Sequence, residues 1–87
     1  MQKRITVALI KRTSDVQTLQ VMWEQLAEKA YYMVANTRNF DELVEYSVVF
    51  HSIQTRWELV NNKLSGMNLI HPDGVPYREL DFSDMIC

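Results

Sequence analysis

The chain has 87 residues and a formal net charge of −2, with 47% hydrophobic and 23% charged residues. This is the composition of a folded globular chain, and it excludes a disordered or low-complexity protein. The length predicts a single domain over residues 1–87, and the mildly acidic balance disfavours a nucleic-acid partner.

The cysteine content and the opening segment bear on the compartment. Cys87 is the only cysteine, so the chain cannot form an intramolecular disulfide. The opening MQKRITVALIKR has an apolar run too short for a signal peptide or a membrane span. We therefore expect a cytoplasmic protein that does not enter a membrane.

Residues 1–13 contain the segment RITVALI, whose apolar residues lie between basic ones. The β-branched residues in this run favour a short strand. A short helix is also compatible with the segment, and the sequence leaves the choice between the two open.

A first long helix is predicted over residues 15–36. Ser14, followed three residues later by Gln17, forms a capping box, and Asp15 lies in the first turn, where its charge favours the helix dipole. Apolar residues then recur at spacings of 3 and 4, which places them on one helix face. They are Val16, Leu19, Trp23, Leu26, Ala30 and Met33.

A second long helix is predicted over residues 40–65. Asn39 and Glu42 form its N-terminal cap, and Gly66 occupies the position expected of a C′ glycine. The apolar spacing again alternates between 3 and 4. The residues of this face are Leu43, Tyr46, Phe50, Ile53, Trp57, Val60, Leu64 and Met67.

The two helices define the predicted all-α fold. A connection of about three residues favours antiparallel neighbours, so we predict a two-helix hairpin with a coiled-coil-like seam fixed by Trp23 and Trp57. The seam alone buries too little apolar area to offset the conformational entropy of folding. We therefore expect residues 1–13 and 67–87, or a second chain in a dimeric bundle, to pack on the hairpin.

Residues 67–87 are predicted to form a turn and a tail. HPDG predicts a type I turn with Pro72 second and Gly74 fourth, and Pro76 suits the first position of a short helix, although an extended tail fits as well. The apolar residues of the tail, which acidic residues separate, either complete the core or stay exposed as anchors for a partner. They are Leu80, Phe82, Met85 and Ile86.

Sequence motifs for catalysis are absent. There is no glycine-rich phosphate loop, no Cys/His spacing typical of a metal site and no spacing that favours a Ser/His/Asp set. His51 is interpreted as a partly exposed structural histidine, and His71 as a residue that caps or decorates its turn. We therefore expect a protein that is not an enzyme, with no catalytic residue, metal or cofactor.

A basic-flanked segment with alternating Ile5, Val7 and Leu9, followed by two helices, is similar to the ribbon–helix–helix family of DNA-binding repressors. The resemblance covers residues 2–12. In that family two chains pair their strands into a ribbon that enters the major groove, and outward side chains read the bases. The residues that this resemblance places on DNA are Arg4, Thr6 and Ala8.

The main functional prediction is a non-enzymatic protein–protein interaction module, such as a small adaptor, a chaperone-like cap or an inhibitor. Such a chain also suits a phage or mobile-element accessory protein that acts on a host factor. The first helix also carries apolar residues outside its predicted core face, namely Tyr31, Tyr32 and Val34. We expect another protein as partner, together with self-association. The predicted partner-binding residues are Phe40, Val44, Val48, Leu80, Phe82, Met85 and Ile86.

Overall fold

The computed structural model describes the backbone of residues 5–37 and 40–86 and the side chains of residues 5–37 and 47–85. These residues form four α-helices and one 3₁₀ turn, and no strand is present among them. The predicted all-α class is confirmed. The elements are α1 (Val7–Arg12), α2 (Val16–Asn36), α3 (Phe40–Gly66), the 3₁₀ turn (Tyr77–Glu79) and α4 (Phe82–Ile86).

The N-terminal segment forms the helix α1, so the strand alternative is wrong. Thr6 caps this helix, because its Oγ1 accepts a hydrogen bond from the N–H of Leu9 at 3.1 Å. The helical turn also brings Ile10 into the core, where it is buried. This burial outweighs the strand preference of the β-branched residues, which is weak and depends on context.

The carboxyl end of α1 is capped from α3. Lys63 Nζ donates hydrogen bonds to the carbonyl oxygens of Ile10 at 2.7 Å, of Lys11 at 3.1 Å and of Thr13. The last carbonyls of a helix have no partner within it, and a positive charge there is favourable. Lys63 therefore holds a helix of only 6 residues in place.

The N-cap of α2 is Asp15 rather than the predicted Ser14. The Asp15 carboxylate accepts hydrogen bonds from the hydroxyl of Thr18 at 2.7 Å and from its backbone N–H at 2.9 Å. These bonds, the hydroxyl bond most of all, lower the pKa of Asp15, because they stabilise the ionised carboxylate. Serine and aspartate are nearly equal as caps, and the two hydrogen bonds from Thr18 favour Asp15 over its neighbour Ser14.

α3 ends in a Schellman motif centred on Asn68, whereas Gly66 was predicted as the C′ residue. Gly66 is still helical, and Asn68 has a left-handed backbone with a φ of 58°. The N–H of Leu69 donates to the carbonyl of Leu64 at 3.4 Å, and the N–H of Asn68 donates to that of Ser65 at 3.0 Å. This is the bonding pattern of the motif, and asparagine tolerates the left-handed region better than most residues.

The predicted turn at HPDG is present. The N–H of Gly74 donates to the carbonyl of His71 at 2.8 Å, and the N–H of His71 donates to that of Val75 at 2.8 Å. Gly74 has a φ of 93°, which side-chain-bearing residues rarely adopt. The chain then returns towards α3, where the N–H of Tyr77 donates to the carbonyl of Leu69 at 3.2 Å.

The core lies between the two long helices, whose predicted packing is confirmed. The rings of Trp23 and Trp57 are almost fully buried, and their centroids lie 5.7 Å apart. The hairpin, its coiled-coil-like seam and the dimer stay predictions. The buried residues of the two helices are Leu19, Met22, Trp23, Leu26, Ala27, Ala30, Ile53, Trp57, Val60, Asn61 and Leu64.

The C-terminal segment forms a third part of the core. Tyr77 and Phe82 are buried, and the ring of Phe82 lies 5.4 Å from that of Trp57. Asn61 joins the parts, because its Oδ1 accepts from Trp23 Nε1 at 3.0 Å and its Nδ2 donates to the carbonyl of Leu80 at 3.4 Å. Pro76 is the N-cap of the 3₁₀ turn and not its first residue as predicted.

Candidate interaction surface

Large apolar side chains lie exposed on the two helix segments that flank the connection between α2 and α3. Tyr32 is 69% exposed and Val48 is 78% exposed. Most apolar residues of the two helices farther from the connection are buried, although Val16 and Val21 of α2 are exposed as well. We call the exposed residues of these segments the tip surface, which consists of Tyr31, Tyr32, Val34, Val48 and Val49.

A groove of about 640 Å³ lies between α2 and α3 next to the tip surface. Tyr32 and Val49 of the tip surface line this groove, together with Leu26, Met33 and Ile53. The apolar surface is therefore continuous from the tip into a concave site. We call this site the α2–α3 groove.

The α2–α3 groove contains charges of both signs. Glu28 and Lys29 line it from α2, and Arg56 lines it from α3. Arg56 is partly buried, and its Nη1 donates a hydrogen bond to Ser52 Oγ. Its Nε–H is buried and has no hydrogen-bond partner among the described residues. A buried donor without an acceptor costs about 1 to 3 kcal/mol, so this guanidinium is incompletely satisfied.

Of the predicted partner-binding residues on α3, one lies on the tip surface. Val48 belongs to the tip surface, whereas the side chains of Phe40 and Val44 lie outside the described part of the chain. Val49, the neighbour of Val48, was not among the predicted anchors. Val49 lies one position before Phe50, off the predicted apolar face of α3, and its exposure agrees with that position.

The predicted anchors of the tail lie against the core. Phe82 is buried, and Leu80 and Met85 are partly buried against the core cluster. The side chain of Ile86 lies outside the described residues. Leu80, Phe82 and Met85 therefore do not join Val48 in one exposed surface.

Two of the three residues predicted to contact DNA, Thr6 and Ala8, belong to a helix or its cap and not to a strand. Thr6 caps α1 and Ala8 lies within it, whereas Arg4 lies outside the described residues. Side chains two positions apart share a face on a strand but not on a helix. The helix thus removes the arrangement that would let Thr6 and Ala8 read bases together.

His71 packs in an aromatic cluster that the sequence did not predict. Its ring centroid lies 4.8 Å from that of Trp23 and 5.6 Å from that of Tyr77. Nε2 lies 3.2 Å from the Glu24 carboxylate, and Nδ1 accepts from the N–H of Asp73 at 3.1 Å. His71 therefore attaches the turn to α2, a larger role than decoration of the turn.

Within residues 5–37 and 40–86, no group of three or more His, Cys, Asp or Glu residues is placed to hold a metal ion. No helix described there has the length and apolar content needed to cross a membrane.

Comparisons with models of protein families, with curated proteins and with solved structures found no match to this chain.

Proposed function

We propose that this chain is a non-enzymatic protein-binding module, acting as a small adaptor, a chaperone-like cap or an inhibitor, and that it binds another protein through the tip surface. The observation that most supports the proposal is the exposure of large apolar residues there, with Val48 at 78% and Tyr31 at 58%. Water contact with such residues is unfavourable, and a partner would remove it.

The residue types of the tip surface suit a protein interface. Single exposed apolar residues are normal on a protein surface, and the tip surface places five of them on two helix segments joined by one short connection. The other exposed large apolar residues in the described part of the chain lie elsewhere, at Val16, Val21, Met67, Ile70 and Val75. Tyr31 and Tyr32 combine a large apolar ring with a hydroxyl that can bond to a partner. Tyrosine is enriched at interfaces for this reason.

The fold proposed with this function is an antiparallel helical hairpin whose connected end carries the tip surface. Trp23 contacts Trp57. Met33, later in α2, lines the groove with Val49, which is earlier in α3. This order of contacts supports opposite helix directions. The packed tryptophans would then hold the tip surface in a fixed shape, which lowers the entropy lost on binding.

The test compares proteins captured from a lysate of the source organism by the immobilised wild-type chain and by two double variants. The tip variant carries Tyr31→Ser and Val48→Ser. The control carries Val21→Ser and Ile70→Ser, which replace apolar residues that are also more than half exposed, at 54% and 59%. Loss of central apolar contacts should weaken binding at least about tenfold.

We expect the wild type and the control to capture the same protein and the tip variant to lose it. The affinity is then measured by calorimetry with the purified partner. Equal capture by the tip variant and the control, with both folded by circular dichroism, would show that the tip surface is not the binding site.

A further inference from the structure

The charges of the α2–α3 groove are arranged so that the groove is complementary to itself. Glu28 supplies a negative charge from α2, and Arg56 supplies a positive charge from α3. A two-fold interface uses the same patch on both subunits, so each residue i that meets j is matched by j meeting i. A two-fold axis through the groove would therefore bring Glu28 and Arg56 of different copies together twice.

A partner with charge of a single sign fits the same groove less well. An acidic segment would face Glu28, and a basic segment would face Lys29 and Arg56. Like charges at an interface are unfavourable and act against the wrong partner. The mixed signs of the groove thus suit an occupant that also carries both signs, and a second copy of this chain is such an occupant.

Arg56 suits the same occupant, because it lines the groove and its side chain is only partly buried. Nη1 is used by Ser52 Oγ, while the buried Nε–H has no acceptor within the described part of the chain. A guanidinium group has five N–H donors and binds carboxylates through paired hydrogen bonds. The buried Nε–H is out of reach of another chain, so the carboxylate of Glu28 from a second copy would meet the exposed part of the Arg56 side chain.

A stable interface buries about 800 Å² per partner, or roughly an eighth of the 6242 Å² surface of this chain. A dimer centred on the groove would therefore also cover surface on either side of it. Tyr32, Met33 and Val49 line the groove beside the charged residues. Covering the groove would leave Tyr31, Val34 and Val48, which do not line it, for another protein.

We propose that this chain forms a two-fold homodimer through the α2–α3 groove, in which Glu28 of each protomer pairs with Arg56 of the other. The two pairs of long helices then pack as one four-helix bundle. The dimer site is adjacent to the proposed binding site for another protein, and the two proposals can fail separately.

Sedimentation velocity over a series of concentrations tests the dimer. We expect the wild type to be dimeric at micromolar concentration, and Glu28→Arg and Arg56→Glu each to raise the dimer Kd at least about tenfold, because each places like charges together. The double variant, Glu28→Arg with Arg56→Glu, restores opposite charges and should restore the dimer. A merely structural role of either residue would not produce this rescue.

Matched controls are Glu58→Arg and Arg78→Glu, which reverse exposed charges outside the groove and should leave the Kd unchanged. The proposal is overturned by a monomeric wild type, by single variants that dimerise like the controls, or by a double variant that stays monomeric. If circular dichroism shows that Arg56→Glu does not fold, the test is the dimer Kd of Glu28→Arg compared with that of the control Glu58→Arg. A monomer that still captures a protein through the tip surface would refute this dimer and leave the proposed function standing.

Discussion

Trp23 and Val48 lie on the same two packed helices but in very different surroundings. Around Trp23 and Trp57, α1 and the C-terminal segment pack onto α2 and α3, and the apolar residues that face inward are buried. Near the connection, Tyr31, Tyr32 and Val48 of the same helices face water. Apolar residues along one face of a helix therefore indicate a surface that favours a contact. Whether that surface becomes core depends on which other helices or segments of the chain pack over it.

The largest expected difference between the two regions is in the free energy of unfolding. Trp57→Ala should lower it by about 3 to 5 kcal/mol, because a large buried ring leaves a cavity. Val48→Ala, on the tip surface, should change it by less than about 0.5 kcal/mol. Urea denaturation of both variants measures this, and similar losses for the two would remove the distinction between core and tip.

Phe82→Ala tests whether the tail belongs to the packed region. We expect a loss of about 3 kcal/mol, the lower end for a buried phenylalanine, because the short terminal α4 can shift to fill part of the space. The exposed neighbour Ser83 provides the control, as Ser83→Ala removes little buried area. A melting temperature unchanged by Phe82→Ala would mean that the tail is not core in solution.

Lys63→Met tests how α1 is attached to the packed region. The variant keeps an apolar stem but removes the donor to the carbonyls of Ile10, Lys11 and Thr13, and we expect a loss of about 1 to 3 kcal/mol. Amide hydrogen exchange in α1 should accelerate at the same time. The control is Lys11→Met, and an equal effect of the two variants would argue against a capping role for Lys63.

The smallest expected effect is a dependence of stability on alkaline pH. Burial raises the pKa of the Tyr77 phenol, a hydrogen bond with Gln20 lowers it, and the charge of Glu24 raises it. Because the folded state holds this proton more tightly, the contribution is fully present below the unfolded pKa of about 10 and is lost as pH rises through the folded pKa.

Denaturation midpoints of the wild type and of Tyr77→Phe, measured at neutral and alkaline pH, detect this loss. We expect the wild type to lose more stability at high pH than the variant, which has no phenol at this position. An equal loss of stability between neutral and alkaline pH in both proteins would mean that groups other than Tyr77 cause it.

The long helices could be predicted because their determinants are local. Apolar spacings of 3 and 4 are a property of a single helix, and they identified Trp23, Leu26, Trp57 and Leu64 as buried residues. The helix ends were less predictable. Asp15 replaced Ser14 and Asn68 replaced Gly66, since neighbouring residues of similar preference compete for one cap.

The candidate surface was only partly recognisable. Tyr31, Tyr32, Val34 and Val48 stood out in the sequence as apolar residues beyond the seam, and they are exposed. Glu28 and Arg56 did not stand out, because their common groove exists only when α2 and α3 are packed. No sequence separation indicates that residues on two different helices share a groove.

Local patterns alone were sufficient for the helical class, for the two long helices and for the turn at HPDG, since each depends on residues within a few positions of one another. Tertiary packing, together with the Thr6 cap, made residues 7–12 a helix, and tertiary packing alone buried Phe82 against Trp57 and placed His71 on Trp23. In each case the deciding free energy comes from burial against residues distant in the chain, which can exceed a local preference of a few tenths of a kcal/mol.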